Sequence, residues 1–112
     1  MDADAKEIVL RSRGFAVKEF GKTVAEVSWS DLKEIFAFKR DMFTYDMICL
    51  GFRIDDEGNY WEVNEEFVGY DKLRTELAER FVGIFADWFE VVAFPAFATN
   101  RTTIWAKTLP KK

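Results

Sequence analysis

Asp55, Glu57, Asn59 and Glu66 fall at positions 1, 3, 5 and 12 of a calcium-binding EF-hand loop. Position 6 of such a loop needs glycine for its sharp turn, and here it is Tyr60, while Trp61 to Val63 reads as strand. The segment is therefore expected to be a solvated hairpin turn, for which Gly58-Asn59 and neighbouring acids are ordinary chemistry. Glu62, Glu65 and Glu66, with Asp41 and Asp46 across a sheet, are the carboxylates from which a small enzyme would be built. Hydrolysis by paired acids needs two of them facing one cleft in divergent environments. Glu65 and Glu66 point to opposite faces of a continued strand, which reads as a solvated sheet edge. Cys49 lies in the apolar run Met47-Ile48-Cys49-Leu50 and has no second cysteine to pair with. Lys39, Arg40 and Arg53, or Lys18 and Lys22, raise a phosphate-headgroup reading, but such a site needs several cations converging on one loop. Glu19 interrupts the second set, and phosphoinositide binding is not expected. Histidine is absent, which removes the imidazole metal ligand and the usual Ser-His and Cys-His machinery. No catalytic residue, metal ligand or cofactor is assigned.

The elements that position these residues belong to one domain, residues 1–112. Hydrophobic residues make up 49% of the chain and aromatic residues 17%, too apolar for a disordered chain. The formal net charge is −4 and the pI about 4.9. That balance argues against a nucleic-acid partner, which needs a basic stripe, and suits association with a basic protein. The opening MDADAKEIVL has acids where a signal peptide needs a positive start, and no run is long and apolar enough to span a bilayer. A cytoplasmic protein without membrane insertion is expected.

Alternation predicts strands at Ile8–Arg11, Phe15–Lys18 and Val24–Trp29, then a single helical turn started by Ser30-Asp31. Phe36 and Phe38 alternate with Ala37 and Lys39, so Ile35 to Met42 reads as strand. Asp46–Ile54 and Tyr60–Asn64 form a hairpin, with Ile48, Leu50, Phe52 and Ile54 on one face. The period then changes from two to 3.6: Leu73, Leu77, Phe81, Ile84 and Phe85 mark an amphipathic helix from Tyr70 to Phe85, loosened at Gly83. Ala86–Phe94 reads as a second short helix stopped by Pro95, and Thr102–Ala106 as a short final strand or extended segment.

This order is α+β. Trp29-Ser30-Asp31-Leu32 with Ile35, then Asp46–Leu50, then Val68-Gly69-Tyr70 leading into Leu73 and Leu77, resembles the small bacterial pleckstrin-homology-like (PH-like) domains. Phe38-Lys39-Arg40-Asp41 and Pro95–Asn100 are similar to segments of a group of short uncharacterised bacterial proteins. The resemblance implies a strongly bent antiparallel sheet, or partly open barrel, closed by one amphipathic helix. Its core would span about residues 8–82, with a C-terminal extension, 84–112, on the sheet. It also implies a binding or scaffold module rather than an enzyme.

Apolar residues lie on both faces of the predicted sheet: Met47 and Cys49 oppose Ile48 and Leu50, and Phe36 and Phe38 oppose Ile35 and Ala37. A sheet with one solvated face should alternate apolar with polar, so either residues 84–112 or a second chain must cover the other face. Phe94, Phe97, Ile104 and Trp105 can supply that cover, with Asn100 capping a turn; alternatively Arg101 and Trp105 belong to an interface, where both residue types are enriched. The expected contact residues are therefore Phe94, Phe97, Asn100, Arg101, Trp105, Met47 and Cys49, with a protein partner or a second copy in a homodimer. Three functions follow in order: a cytoplasmic protein-binding module, a small acidic immunity-type protein neutralising a basic toxin, and a small enzyme using carboxylates.

Overall fold

Short alternating runs separated by Gly and polar turns dictate hairpins, and the structure, a computed structural model, describes residues 6–81, 84, 88–93 and 101–107. Strands β1 (Lys6–Arg11), β2 (Gly14–Glu19) and β3 (Lys22–Ser28) make an antiparallel meander. A 3-10 turn at Trp29–Asp31 leads into a second meander, β4 (Glu34–Asp41), β5 (Asp46–Arg53) and β6 (Tyr60–Asn64). Helices α1 (Tyr70–Arg80) and α2 (Trp88–Ala93) follow, and β7 (Thr102–Ala106) returns antiparallel to β4, giving the order β6-β5-β4-β7. The architecture is α+β. The expected bent sheet or partly open barrel resolves into two antiparallel sheets, and among the described residues no ladder joins β3 to β6.

Two boundaries differ from expectation. The 3-10 turn begins at Trp29, and the residue before it, Ser28, makes no side-chain cap bond. Trp29 N–H donates instead to the Arg13 carbonyl at 2.9 Å, which ties the turn to the β1–β2 loop. Helix α1 stops at Arg80, because Phe81 leaves helical dihedrals (φ −108°, ψ 91°) while its N–H still bonds the Leu77 carbonyl. Ile84 N–H donates to the Phe81 carbonyl, and the expected weak point at Gly83, with Phe85, lies outside the described residues.

One core serves both sheets. Ile8, Phe15, Val17 and Val27 from the first face Ile35, Ala37, Ile48, Leu50, Phe52 and Val63 from the second. Tyr70, Leu73 and Leu77 of α1 and Trp88 and Val92 of α2 complete it. Leu73 is fully buried, which stabilises by about 1.5–3 kcal/mol relative to exposure. The chain entering α1 is stitched to β1 by a short parallel bridge: Ile8 N–H donates to the Val68 carbonyl at 2.8 Å, and Val68 N–H to the Lys6 carbonyl at 2.9 Å.

The β2–β3 loop carries local strain. Glu19 pairs with Lys22, so Phe20 and Gly21 form a two-residue loop, with φ of +55° and +78°. Two positive φ values suit Asn-Gly, and a phenylalanine with its Cβ is disfavoured there. Phe20 is 65% exposed. Phe20→Asn is therefore expected to raise stability by about 1 kcal/mol, read as a higher urea midpoint at unchanged slope. A lower midpoint would show that the ring makes a contact that outweighs the strain.

Candidate functional site

Strand alternation and register decide which side chains share the outer face of the four-stranded sheet, the face turned away from α1. Phe36 stands opposite Gly51 on β5 and Thr103 on β7, Phe38 opposite Cys49, and Gly51 opposite Glu62. Phe36 lies flat over Gly51: a Cβ there would come within 2.2 Å of the ring, so only glycine admits it. Phe38 stacks beside Phe36 with centroids 5.9 Å apart, and Tyr60 meets Phe36 edge-on at 4.9 Å. The Arg101 guanidinium sits 3.7 Å from the Phe36 ring centre. Such a stack contributes about 0.5–1 kcal/mol at an exposed site and fixes the guanidinium's plane.

Carboxylates hold the charges around this stack. Glu34 accepts from Arg53 Nε at 2.9 Å and from the Thr103 hydroxyl, and Arg101 Nη2 lies 3.8 Å from it. Arg40 Nη2 reaches both oxygens of Glu62 at 2.7 Å. Burial raises the Glu34 pKa, but the bonds from Thr103 and Arg53 and the charges of Arg101 and Arg53 outweigh it, leaving the carboxyl below its ordinary value. A lowered folded-state pKa contributes stability above the unfolded carboxylate range that is lost as pH falls through the folded value. The stability advantage of the native chain over Glu34→Gln should therefore be constant near neutral pH and disappear in acid. An advantage independent of pH, measured by urea denaturation across an acid series, would contradict this.

Cys49 lies beneath the Arg40–Glu62 pair. It is fully buried beside Phe36 and Phe38, and burial, with the Glu62 charge, pushes its thiol up to about 12. It is a neutral apolar side chain at physiological pH, not a nucleophile.

The expected contact residues divide sharply. Arg101 is exposed and central to the stack. Met47 and Cys49 are corrected: they are 6% and 0% exposed, closed off within a single chain. The need for a second copy over them falls away with that burial. Trp105 is also corrected. The register shifts between Ile35 and Phe36, which sets Trp105 opposite Ile35 on the core side, its ring 4.6 Å from Phe81. Phe94, Phe97 and Asn100 lie outside the described residues. The sequence reading missed Phe36, Tyr60 and Glu34 as partners of Arg101. The only signal was alternation, which put Phe36 and Phe38 on one face without showing what would meet them; the strand was expected to begin at Ile35, and β4 begins one residue earlier, at Glu34.

Other candidates are dispersed. Asp55 Oδ1 accepts from the backbone N–H groups of Glu57, Gly58 and Asn59, and Oδ2 from Asn59 Nδ2 at 2.8 Å, so this carboxylate holds its own turn. Asn59 foremost keeps the Asp55 pKa low. Glu65 accepts from Ile48 N–H and Glu66 from the Tyr45 hydroxyl, after β6 has ended. Among the described residues no group of three or more Cys, Asp or Glu side chains is placed to hold a metal ion, and no helix is long and apolar enough to cross a membrane. Lys39, expected to be an ordinary surface lysine, is instead 3% exposed on the core side, 3.3 Å from Asp46 and donating to the Ala93 carbonyl at 2.8 Å. With Arg40 on Glu62 and Arg53 on Glu34, the three cations do not converge. Compared with protein-family models, curated proteins and solved structures, the chain matches none of them.

Proposed function

We propose that this chain is a non-enzymatic cytoplasmic module of PH-like type that binds a protein partner through the outer face of its four-stranded sheet. The observation that carries the reading is the Arg101 guanidinium stacked on Phe36 beside exposed Tyr60 and the Glu34–Arg53 pair. Arginine and tyrosine dominate binding energy at protein interfaces, and a guanidinium already held in plane loses little freedom on contact. The ionisable groups of this face are engaged with one another, and the buried thiol is neutral, which supports binding over catalysis.

The test uses the chain immobilised as bait, identification of the captured protein by mass spectrometry, and titration of that protein in purified form. Combined Arg101→Ala and Tyr60→Ala should weaken binding by at least about tenfold while the chain stays folded, its melting temperature lowered by several degrees for the two lost contacts on Phe36. Unchanged affinity would remove this face from consideration. The immunity-type reading rests on the run from Asp55 to Glu66, which has acids and no Lys or Arg. A basic toxin as partner would show steep loss of affinity with added salt, which an apolar contact would not.

A further inference from the structure

Strand β6 ends its sheet, and its hydrogen-bond phase is set at both ends. Ile54 N–H donates to the Asn59 carbonyl and Glu65 N–H to the Ile48 carbonyl, so bonded pairs recur every second residue. Trp61 and Val63 therefore bond to Phe52 and Leu50 of β5, and the N–H and C=O groups of Tyr60 and Glu62 point away from the sheet. No strand among the described residues meets them. Natural edges are usually blunted by lysine, proline or a bulge, and the β5–β6 ladder from Tyr60 to Asn64 has none of these. Tyr60 and Trp61 are 43% and 40% exposed and point to opposite faces. Beside Trp61 lies a cavity of about 150 Å³ between the two sheets, lined by Val17, Val24, Ala25 and Phe67 with Lys6 and Glu62 at its polar side.

Charge selects the occupant. Asp55, Asp56 and Glu57 flank one end of β6 and Glu65 and Glu66 the other, with no Lys or Arg between Arg53 and Lys72, while Glu62 within the strand is already paired with Arg40. A second copy paired antiparallel along this edge would bring the two acidic ends together, and a parallel one would stack each end on itself. Like charges so placed are destabilising. We infer that the β6 edge accepts an extended basic segment of a partner protein as an added strand, apolar side chains entering the cavity beside Trp61 and alternate Lys or Arg side chains facing the acids. Backbone bonds to Tyr60 and Glu62 supply affinity, and the alternation supplies specificity. The inference rests on the reading of the chain as a protein-binding module and names the kind of partner it takes.

The experiment measures backbone amide exchange of the full chain by NMR at physiological ionic strength. The probes are a short, end-capped peptide of alternating valine and lysine and its valine–glutamate counterpart. The Tyr60 and Glu62 amides should exchange fast in the free chain and slow by at least about tenfold with the lysine peptide, as hydrogen-bonded amides do. The glutamate peptide should give no protection, Trp61→Lys should abolish the effect, and Arg101→Ala should leave it. Val24→Lys, on the opposite wall of the cavity, serves the same purpose should the Trp61 variant not fold. Fast exchange at both amides with millimolar lysine peptide, or equal protection by both peptides, overturns the inference. Changes confined to Phe36 and Arg101 signals also overturn it, while leaving the outer-face module standing. Failure of the capture experiment, with protection here, would instead count against that face alone.

Discussion

Phe52→Ala is expected to destabilise the fold by about 3–5 kcal/mol, the largest effect of any single truncation considered. Phe52 is fully buried on the central strand β5, and its ring meets Phe15 of β2 edge-on at 4.9 Å. That contact joins the two sheets, and it opens a run of aromatic contacts. Phe15 lies 5.6 Å from Trp29 in the 3-10 turn, Trp29 lies 5.8 Å from Phe81 beyond α1, and Phe81 lies 4.6 Å from Trp105 on β7. Each pair contributes about 0.5–1.5 kcal/mol beyond buried area. Removing the first ring leaves a cavity where the sheets meet, and no ladder between β3 and β6 holds the seam closed. Urea denaturation of Phe52→Ala and Phe52→Leu measures this, with leucine recovering part of the loss because it fills part of the cavity. A loss below about 1 kcal/mol for alanine would mean that the sheets close over the gap without difficulty.

Lys39→Met is expected to cost about 3 kcal/mol. The Lys39 ammonium is shielded by the core side of β4, 3.3 Å from Asp46, whose side chain is 14% exposed, and it donates to the last carbonyl of α2. Methionine fills the space but takes the ammonium away from the Asp46 carboxylate and the Ala93 carbonyl, and the loss of that shielded ion pair is the main cost. Replacing both members, Lys39→Met with Asp46→Leu, should therefore recover part of the stability, because neither charge is then buried. A double-mutant cycle measures the coupling, and additive losses would show that the two side chains act independently.

Lys39 also shows where sequence reading stops. A lysine in an acidic chain reads as an ordinary surface residue, yet here the phenylalanines take the outer face and the lysine the core. What reverses the reading is Asp46, just past the β4–β5 turn, and Ala93, far along the chain. Met47 and Cys49 were misread for a related reason. Alternation put them on the second face, but cover for Cys49 came from Phe36, Phe38 and the Arg40–Glu62 pair, whose arrangement depends on inter-strand register. By contrast the hairpin from Asp46 to Asn64 and the strand Thr102–Ala106 were legible, since apolar periodicity bounded by turn residues fixes both the type and the extent of a strand. The early stop of α1 was not, because Phe81 continues the helical stripe in sequence while its ring is drawn into the aromatic run. Arg101 was picked out by residue type; its seat on Phe36 follows only from the pairing of β7 with β4.

Cys49 makes the outer face its own clock. A reagent that attacks the thiolate cannot reach a side chain sealed beside Phe36 and Phe38 beneath the Arg40–Glu62 pair and held protonated, so labelling waits for that cover to open. The rate of that single modification, counted by mass and compared with the rate of global unfolding, reads out whether this face opens on its own.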